Sequence, residues 1–176
     1  EVLYYCGLRR GEMLGLQWRD IDFNRKTLSV IRNITWPKMS TNDQWNVTTP
    51  KTKTSSRTLP IPDVLYDDLI ALKESFNKVY KFDKTWYIFG DVEPLRPNTL
   101  NFRKKIYCKK AGLREIRNHD FRHSCASLLI NSGAPVTLVA KYLGHSKVDE
   151  TLNTYSHMYR NKLDDIVNTI DKLNEQ

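Results

Sequence analysis

Hydrophobic and polar positions follow more than one rhythm along the chain. From Pro62 to about Lys81, Leu65, Leu69, Leu72, Phe76 and Val79 recur at steps of four and three, which puts them on one helical face. Pro62 and Asp63 supply that helix's start. From Thr27 to Pro62 the rhythm shortens. Leu28, Val30, Ile31, Ile34, Trp36, Val47 and the run TLPIP at 58–62 sit between turn-rich pieces such as PKMSTNDQ at 37–44, and predict a small antiparallel sheet of about three strands. One turn of that sheet, PKTKTSSR at 50–57, is basic and polar.

The stretch from His119 to Tyr159 reads as three short helices broken at Gly133 and at Gly144-His145. Gly144 suits a left-handed exit from the helix ending near Leu143, and Ser146 with Asp149 has the spacing of a capping box. His145 is therefore expected on a fixed corner. Upstream, Asn98 is expected to cap a helix reaching Ala111-Gly112, on which Arg103, Lys104, Lys105, Lys109 and Lys110 lie beside Leu100, Ile106 and Tyr107. A last stripe, Leu163, Ile166, Val167, Ile170 and Leu173, predicts an amphipathic C-terminal helix that packs on its own domain or on a neighbour. The opening EVLYYC is mostly apolar with no capping residue ahead of it, as though the chain starts inside a helix of a longer protein. GLRRGEMLGLQWRDID at 7–22 then gives a glycine break, two arginines and a short helix with Met13, Leu14 and Trp18 on its apolar face. The break at Gly7 allows Arg9 to be aimed away from that face.

At 176 residues the chain has the size of one domain that buries a core without staples. Its net charge of +8 favours a polyanion as partner, nucleic acid foremost. Cys6, Cys108 and Cys125 are odd in number and read as reduced core residues of an intracellular protein. No apolar run approaches the roughly 18 residues of a membrane span.

Several of these groups suit chemistry on a phosphodiester. His119 and Arg122, three apart on a helix, can point at one ligand. A tyrosine has an ordinary pKa near 10, so a nucleophilic one must be activated by its surroundings. Guanidinium groups bind two phosphate oxygens at once and stay charged. Two arginines, a lysine and two histidines could neutralise the charge that builds on the non-bridging oxygens, while the lysine protonates a leaving 5′ oxygen. Nothing in this set calls for a metal or another cofactor. His119 and His123 stand at the i, i+4 spacing of a zinc pair, but no Glu follows His119 and no third ligand is evident, so His123 is expected to pack or hydrogen-bond within the domain. Tyr142 and Tyr159 are alternative tyrosines, His157 could assist from behind, and Cys125 reads as core.

In their order, GLRRGE at 7–12, the hairpin PKTKTSSRTLPIP, HDFRH at 119–123, LGHS at 143–146 and TLNTYSHMY at 151–159 resemble the tyrosine recombinases, specifically the integrases of Gram-positive phages and conjugative transposons. The resemblance covers nearly the whole chain. It implies a mainly α (α+β) fold, a helical catalytic domain with a small three-stranded sheet, preceded in the family by a DNA-binding core domain lying outside residues 1–176. By the same resemblance Arg9 is the first catalytic arginine, His119 and Arg122 the His-x-x-Arg pair, His145 the second histidine and Tyr155 the nucleophile. Lys51, with Lys53 as the alternative, is the hairpin lysine; the PKMSTNDQ segment departs from the family pattern.

Such enzymes cleave one DNA strand, form a 3′-phosphotyrosine and a free 5′ hydroxyl, and rejoin to another strand without ATP. The implied partners are double-stranded DNA, further protomers through the C-terminal helix in a tetramer on DNA, and accessory proteins, in a bacterial cytoplasm. A non-catalytic DNA-binding regulator and a type IB topoisomerase-like strand transferase share parts of this pattern. The full set of reactive side chains argues against the first, and the boxes fit an integrase better than the second.

Overall fold

Leu28 and Leu59 face each other across the middle of a β-ladder, and both are removed from water. Their neighbours Ser29 and Thr58 point to the opposite face, where their hydroxyl oxygens lie 3.2 Å apart. This alternation is what an antiparallel pair with one wet face requires. The computed structural model describes residues 1–37, 44–49, 56–79, 81–159, 167 and 170–172.

In chain order the elements are α1 (Val2–Tyr5), α2 (Arg10–Leu14), a 3₁₀ turn (Trp18–Asp20), β1 (Ile21–Asp22), β2 (Thr27–Val30), β3 (Asn33–Thr35), β4 (Asn46–Thr48), β5 (Arg57–Pro60), α3 (Asp63–Asn77), α4 (Pro97–Lys110), α5 (Asn118–Asn131), α6 (Val136–Leu143) and α7 (Val148–Tyr159). β1, β2 and β5 form a three-stranded antiparallel sheet of the expected size, but its edge strand Ile21–Asp22 precedes the stretch from Thr27 to Pro62 expected to hold all its strands. β3 and β4 form a separate two-stranded ribbon, so Val47 stays exposed rather than joining the sheet.

Two apolar cores result. The larger gathers Leu8, Leu14, Leu16, Leu28, Val30, Leu59, Leu65 and Leu69, among others, from α2, the sheet, α3 and the segments between them. The smaller lies within α5–α7 and contains Cys125, Ala126, Ile130, Val139, Leu143 and Tyr155. They meet at Gly7, whose φ of +57° is a left-handed conformation. A Cβ there would stand 2.6 Å from Leu143 Cδ2 and 3.1 Å from Cys125 Sγ, so only glycine permits the approach.

Several local expectations are corrected. Only Leu65 and Leu69 of the α3 stripe are buried; Leu72 faces water within the helix, Val79 is exposed beyond its end at Asn77, and Phe76 packs against Trp18. α4 is capped at Arg96 with Pro97 in its first turn, so Asn98 is not the cap. The rigid φ of proline suits that position and its missing N–H costs the helix nothing there. α7 begins at Val148, and among the described hydrogen bonds none joins Ser146 to Asp149. Cys6 and Cys125 are core residues and all three thiols are free, but Cys108 is only half-buried on α4, a helix with no buried residue. Of the C-terminal stripe, Val167 and Ile170 are described and exposed, while Leu163, Ile166 and Leu173 lie outside the described residues. Among the described residues no helix is long and apolar enough to cross a membrane.

The two cores are clamped by charge. Glu12, 3% exposed, receives Arg57 Nη2 on Oε2 at 3.1 Å and Arg9 Nη1 on Oε1 at 3.0 Å. Arg57 also donates from Nε to the Tyr142 carbonyl at 2.8 Å, so one side chain of β5 holds both α2 and α6. Burial alone would raise the Glu12 pKa, but the hydrogen bonds and charges of Arg57 and Arg9 outweigh it and hold the carboxyl below its ordinary value. Glu12→Gln leaves two guanidinium groups without their counter-charge and is expected to cost roughly 3 kcal/mol of stability. Urea unfolding of the two proteins measures this, and a loss below about 0.5 kcal/mol would mean that the clamp contributes little.

Candidate active site

The segment that carries His119, Arg122 and His123 begins where the Arg117 N–H donates to Asp120 Oδ2 at 2.8 Å, fixing the first turn of α5. Arg122, one turn in, is buried to 2% exposure, and its Nη1 donates 2.7 Å to the carbonyl of Gly7. Its Nη2 is buried without a hydrogen-bond partner among the described residues. A buried cationic donor left open in this way is a ready anchor for an anionic oxygen. Arg9 stands at the start of α2 in an extended conformation, held by Glu12, with Nη1 also 3.4 Å from the Gly144 carbonyl.

Gly144 closes α6 in the left-handed conformation expected of it, φ +71° and ψ +41°. A side chain there would collide with Arg57, since a Cβ would lie 2.6 Å from its Nη1. The corner delivers His145, whose Nδ1 lies 2.6 Å from Thr151 Oγ1 and whose Nε2 lies 3.5 Å from Glu150 Oε1. Thr151 is fully buried one helical turn before Tyr155, so the same turn of α7 orients both side chains. Tyr155 itself is 5% exposed, and its Oη lies 2.6 Å from His123 Nδ1.

Arg9, His119, Arg122, His145 and Tyr155 line one cleft of about 90 Å³, together with His123, Glu150 and Thr154. Five of the six residues singled out in the sequence therefore converge, from α2, α5, the Gly144 corner and α7. Lys51 and its alternative Lys53 lie outside the described residues, as do the side chains of His157 and Tyr159. Tyr142 faces elsewhere: its hydroxyl donates to the Tyr5 carbonyl at 2.9 Å, and burial pushes its pKa well up. Cys125 is 2% exposed with its thiol pushed up to about 11 by burial, which suits a packing role.

Residues 1–162 match the phage integrase family. The chain belongs to that family. It is 36% identical over 178 residues to the ICEBs1 integrase of Bacillus subtilis, covering 98% of this chain and 47% of the relative. It is 35% identical over 192 residues to a XerC-like tyrosine recombinase of Caldanaerobacter subterraneus subsp. tengcongensis, covering 98% of this chain and 48% of the relative. The chain thus spans about half the length of the curated relatives it matches. Among solved structures, the Tn1549 transposon integrase in complex with a circular intermediate DNA superposes with a TM-score of 0.74 at 20% identity, over 94% of this chain and 56% of that one. That likeness carries the fold.

In this phage integrase domain the cleft combines fixed positive charge with neutral imidazoles. Arg122 is lowered to about 10, by burial first and then by the charge of Arg9, and stays cationic at neutral pH. His145 is lowered to about 4 by burial and by Arg122, only partly offset by Glu150, and His119 is lowered by burial, His123 and Arg122. The groups that sequence reasoning passed over as site residues are Glu12, Arg57, Thr151 and His123. His123 alone had a local signal, being adjacent to Arg122 and one turn from His119, whose ring it meets edge-on with centroids 4.6 Å apart. Glu12 and Arg57 are 45 residues apart, and no short-range pattern joins them. Among the described residues no group of three or more His, Cys, Asp or Glu side chains is placed to hold a metal ion.

The depressed His145 pKa has a defined consequence for stability. Between the ordinary value of 6.5 and about 4 the unfolded chain takes up a proton that the folded chain refuses, so stability is present in full above pH 6.5 and falls as pH drops through that window. His145→Gln is expected to flatten the fall, as read by urea midpoints taken across the window. An unchanged slope would show that this imidazole is not held neutral.

Proposed function

We propose that the domain breaks and rejoins DNA strands through a covalent 3′-phosphotyrosine on Tyr155, as part of site-specific integration or excision of a mobile element. The observation that carries this reading is the cleft itself: two arginines, three histidines and a tyrosine from positions 9 to 155, gathered around a space of about 90 Å³. In the proposed reaction the Tyr155 oxygen attacks the scissile phosphorus as the bond to the 5′ oxygen breaks. Arg9 and Arg122 hold the non-bridging oxygens, with the open Nη2 of Arg122 as one donor. His119 and His145, uncharged at neutral pH, add directed hydrogen bonds without repelling the guanidinium groups. The leaving oxygen takes its proton from the hairpin lysine, Lys51 by the family pattern. Rejoining reverses these steps with a different 5′ hydroxyl, and the energy of the broken bond is kept in the phosphotyrosine.

Double-stranded DNA is the proposed substrate. The +8 charge supports it, as do the exposed cations Arg103, Lys105, Lys109 and Lys110 on α4, where Phe102 and Tyr107 also face solvent. The Tn1549 transposon integrase bound to DNA is the corresponding assembly in a protein of this fold. Assembly on DNA into a tetramer is proposed to run through the C-terminal stripe Leu163–Leu173 of one copy seated on another. A largely apolar groove of about 780 Å³ between β5 and α6, with Leu59, Leu138, Val139 and Val148 in its walls, has the character such a stripe needs.

A nicked oligonucleotide that releases the short 5′ product traps the covalent intermediate. With the full-length protein an EDTA-resistant adduct is expected that disappears in Tyr155→Phe. Arg9→Ala and Arg122→Lys are expected to slow its formation by about 10² or more while leaving DNA affinity within a few-fold, since their charge acts chiefly in the transition state. Tight binding without an adduct would point to a regulator instead, and equal losses of binding and cleavage would remove the assigned roles. For the groove, Leu138→Asp is expected to leave the adduct on a single site intact and to abolish higher-order complexes by mass photometry; unchanged complexes would exclude this surface.

A further inference from the structure

We propose that His123 is the proton acceptor for Tyr155, a further catalytic residue of the strand-breaking step; the proposal rests on the reading above that Tyr155 is the nucleophile. Of the three imidazoles lining the cleft, His123 is the one whose described hydrogen bonds include the phenol oxygen, Nδ1 to Oη at 2.6 Å. His145 has Nδ1 engaged by Thr151 and Nε2 beside Glu150. His119 meets His123 ring to ring at 88°, and no bond from it to Tyr155 is among those described.

The surroundings give the phenol a need for that acceptor. Tyr155 is 5% exposed, so bulk water is a poor recipient of its proton, and burial raises its pKa against the pull of Arg122. A phenol that keeps its proton at neutral pH is a weak nucleophile, and a base in hydrogen-bond contact removes the proton as the O–P bond forms. The groups facing the pair are His119, Asp120, Arg122 and Cys125 on α5, His145 at the Gly144 corner, Glu150 and Thr154 on α7, and Arg9 at the N-cap of α2. Arg122 favours the developing phenolate.

The balance of the step is complete. The Oη–H proton passes to the lone pair of His123 Nδ1, the freed pair on Oη forms the bond to phosphorus, and the bond from phosphorus to the 5′ oxygen breaks. That oxygen takes a separate proton from the general acid and leaves as a hydroxyl. On rejoining, the 5′ hydroxyl returns its proton to the conjugate base of that acid as its oxygen attacks the phosphotyrosine, the bond from phosphorus to Oη breaks, and the imidazolium of His123 returns its proton to Oη. The acid and the base are thus different residues, with the base one helical turn from His119 on the face of α5 that also carries Arg122.

The test uses the full-length protein on the nicked oligonucleotide, with adduct formation followed in single turnover from pH 6 to 9. His123→Ala and the closer-sized His123→Gln are expected to slow it by about 10² or more with DNA affinity and unfolding midpoint little changed. Added imidazole is expected to restore part of the rate to His123→Ala, and fluorinated tyrosine at position 155, whose phenol is more acidic, to shrink the defect. A bridging 5′-phosphorothiolate, whose sulfur leaves without protonation, is expected to rescue lysine variants but neither His123 variant. Adduct formation within about three-fold of wild type in both variants would overturn the proposal and leave the nucleophile assignment standing. Rescue by the phosphorothiolate would likewise overturn it, by moving His123 to the leaving group. A wild-type protein that forms no Tyr155 adduct would remove both readings.

Discussion

A single buried carboxylate organises this domain. Glu12 sits out of water between Arg57 and Arg9, and a charge so placed is tolerated only with its partners in contact. The consequence is geometric rather than a large gain in stability. Arg57 is drawn across from the sheet until it also reaches the Tyr142 carbonyl, and Arg9 is turned toward the carbonyl of Gly144. One acid therefore sets the distance between the sheet-based core and the three-helix segment, and with it the relation of residue 9 to residue 145.

The same junction is tight in a second way. Gly7 brings α1 against α5 with no room for a side chain, and its carbonyl takes one of the Arg122 donors across 115 residues of chain. Arg122 Nη1 is thereby spent on the fold, while Nη2 is buried without a hydrogen-bond partner among the described residues. A side chain anchored at one end and open at the other is preorganised, so little reorganisation is required when an anion arrives. The Thr151–His145 and His123–Tyr155 contacts do the same for the imidazoles and the phenol.

Charge in the cleft is divided by kind. Arg122 remains cationic despite burial, because the ordinary pKa of a guanidinium is so high that a fall to about 10 still leaves it charged at neutral pH. The same burial and the same neighbours push His119 and His145 the other way from charge, and turn them into neutral hydrogen-bonding groups. Fixed positive charge and proton-handling groups can share so small a space because they titrate far apart.

Much of this was legible along the chain. The Gly144 corner, the one-turn spacing of His119 and Arg122, and the alternation that pairs Leu28 with Leu59 are local, and local sterics and periodicity determine them with little help from distant residues. Family pattern marked Arg9, His145 and Tyr155, which have no periodic signal of their own. Tertiary structure decided the rest. That Glu12 would bind Arg57, that Leu72 and Val79 of the α3 stripe would stay wet, that Arg96 rather than Asn98 would precede α4, and that His123 rather than His119 would touch the phenol all depend on which surfaces meet once the loops close. A sequence pattern states which face of an element is apolar; it does not state the rotation and depth at which that face docks, and a hydrogen bond is made or lost within less than 1 Å of that docking.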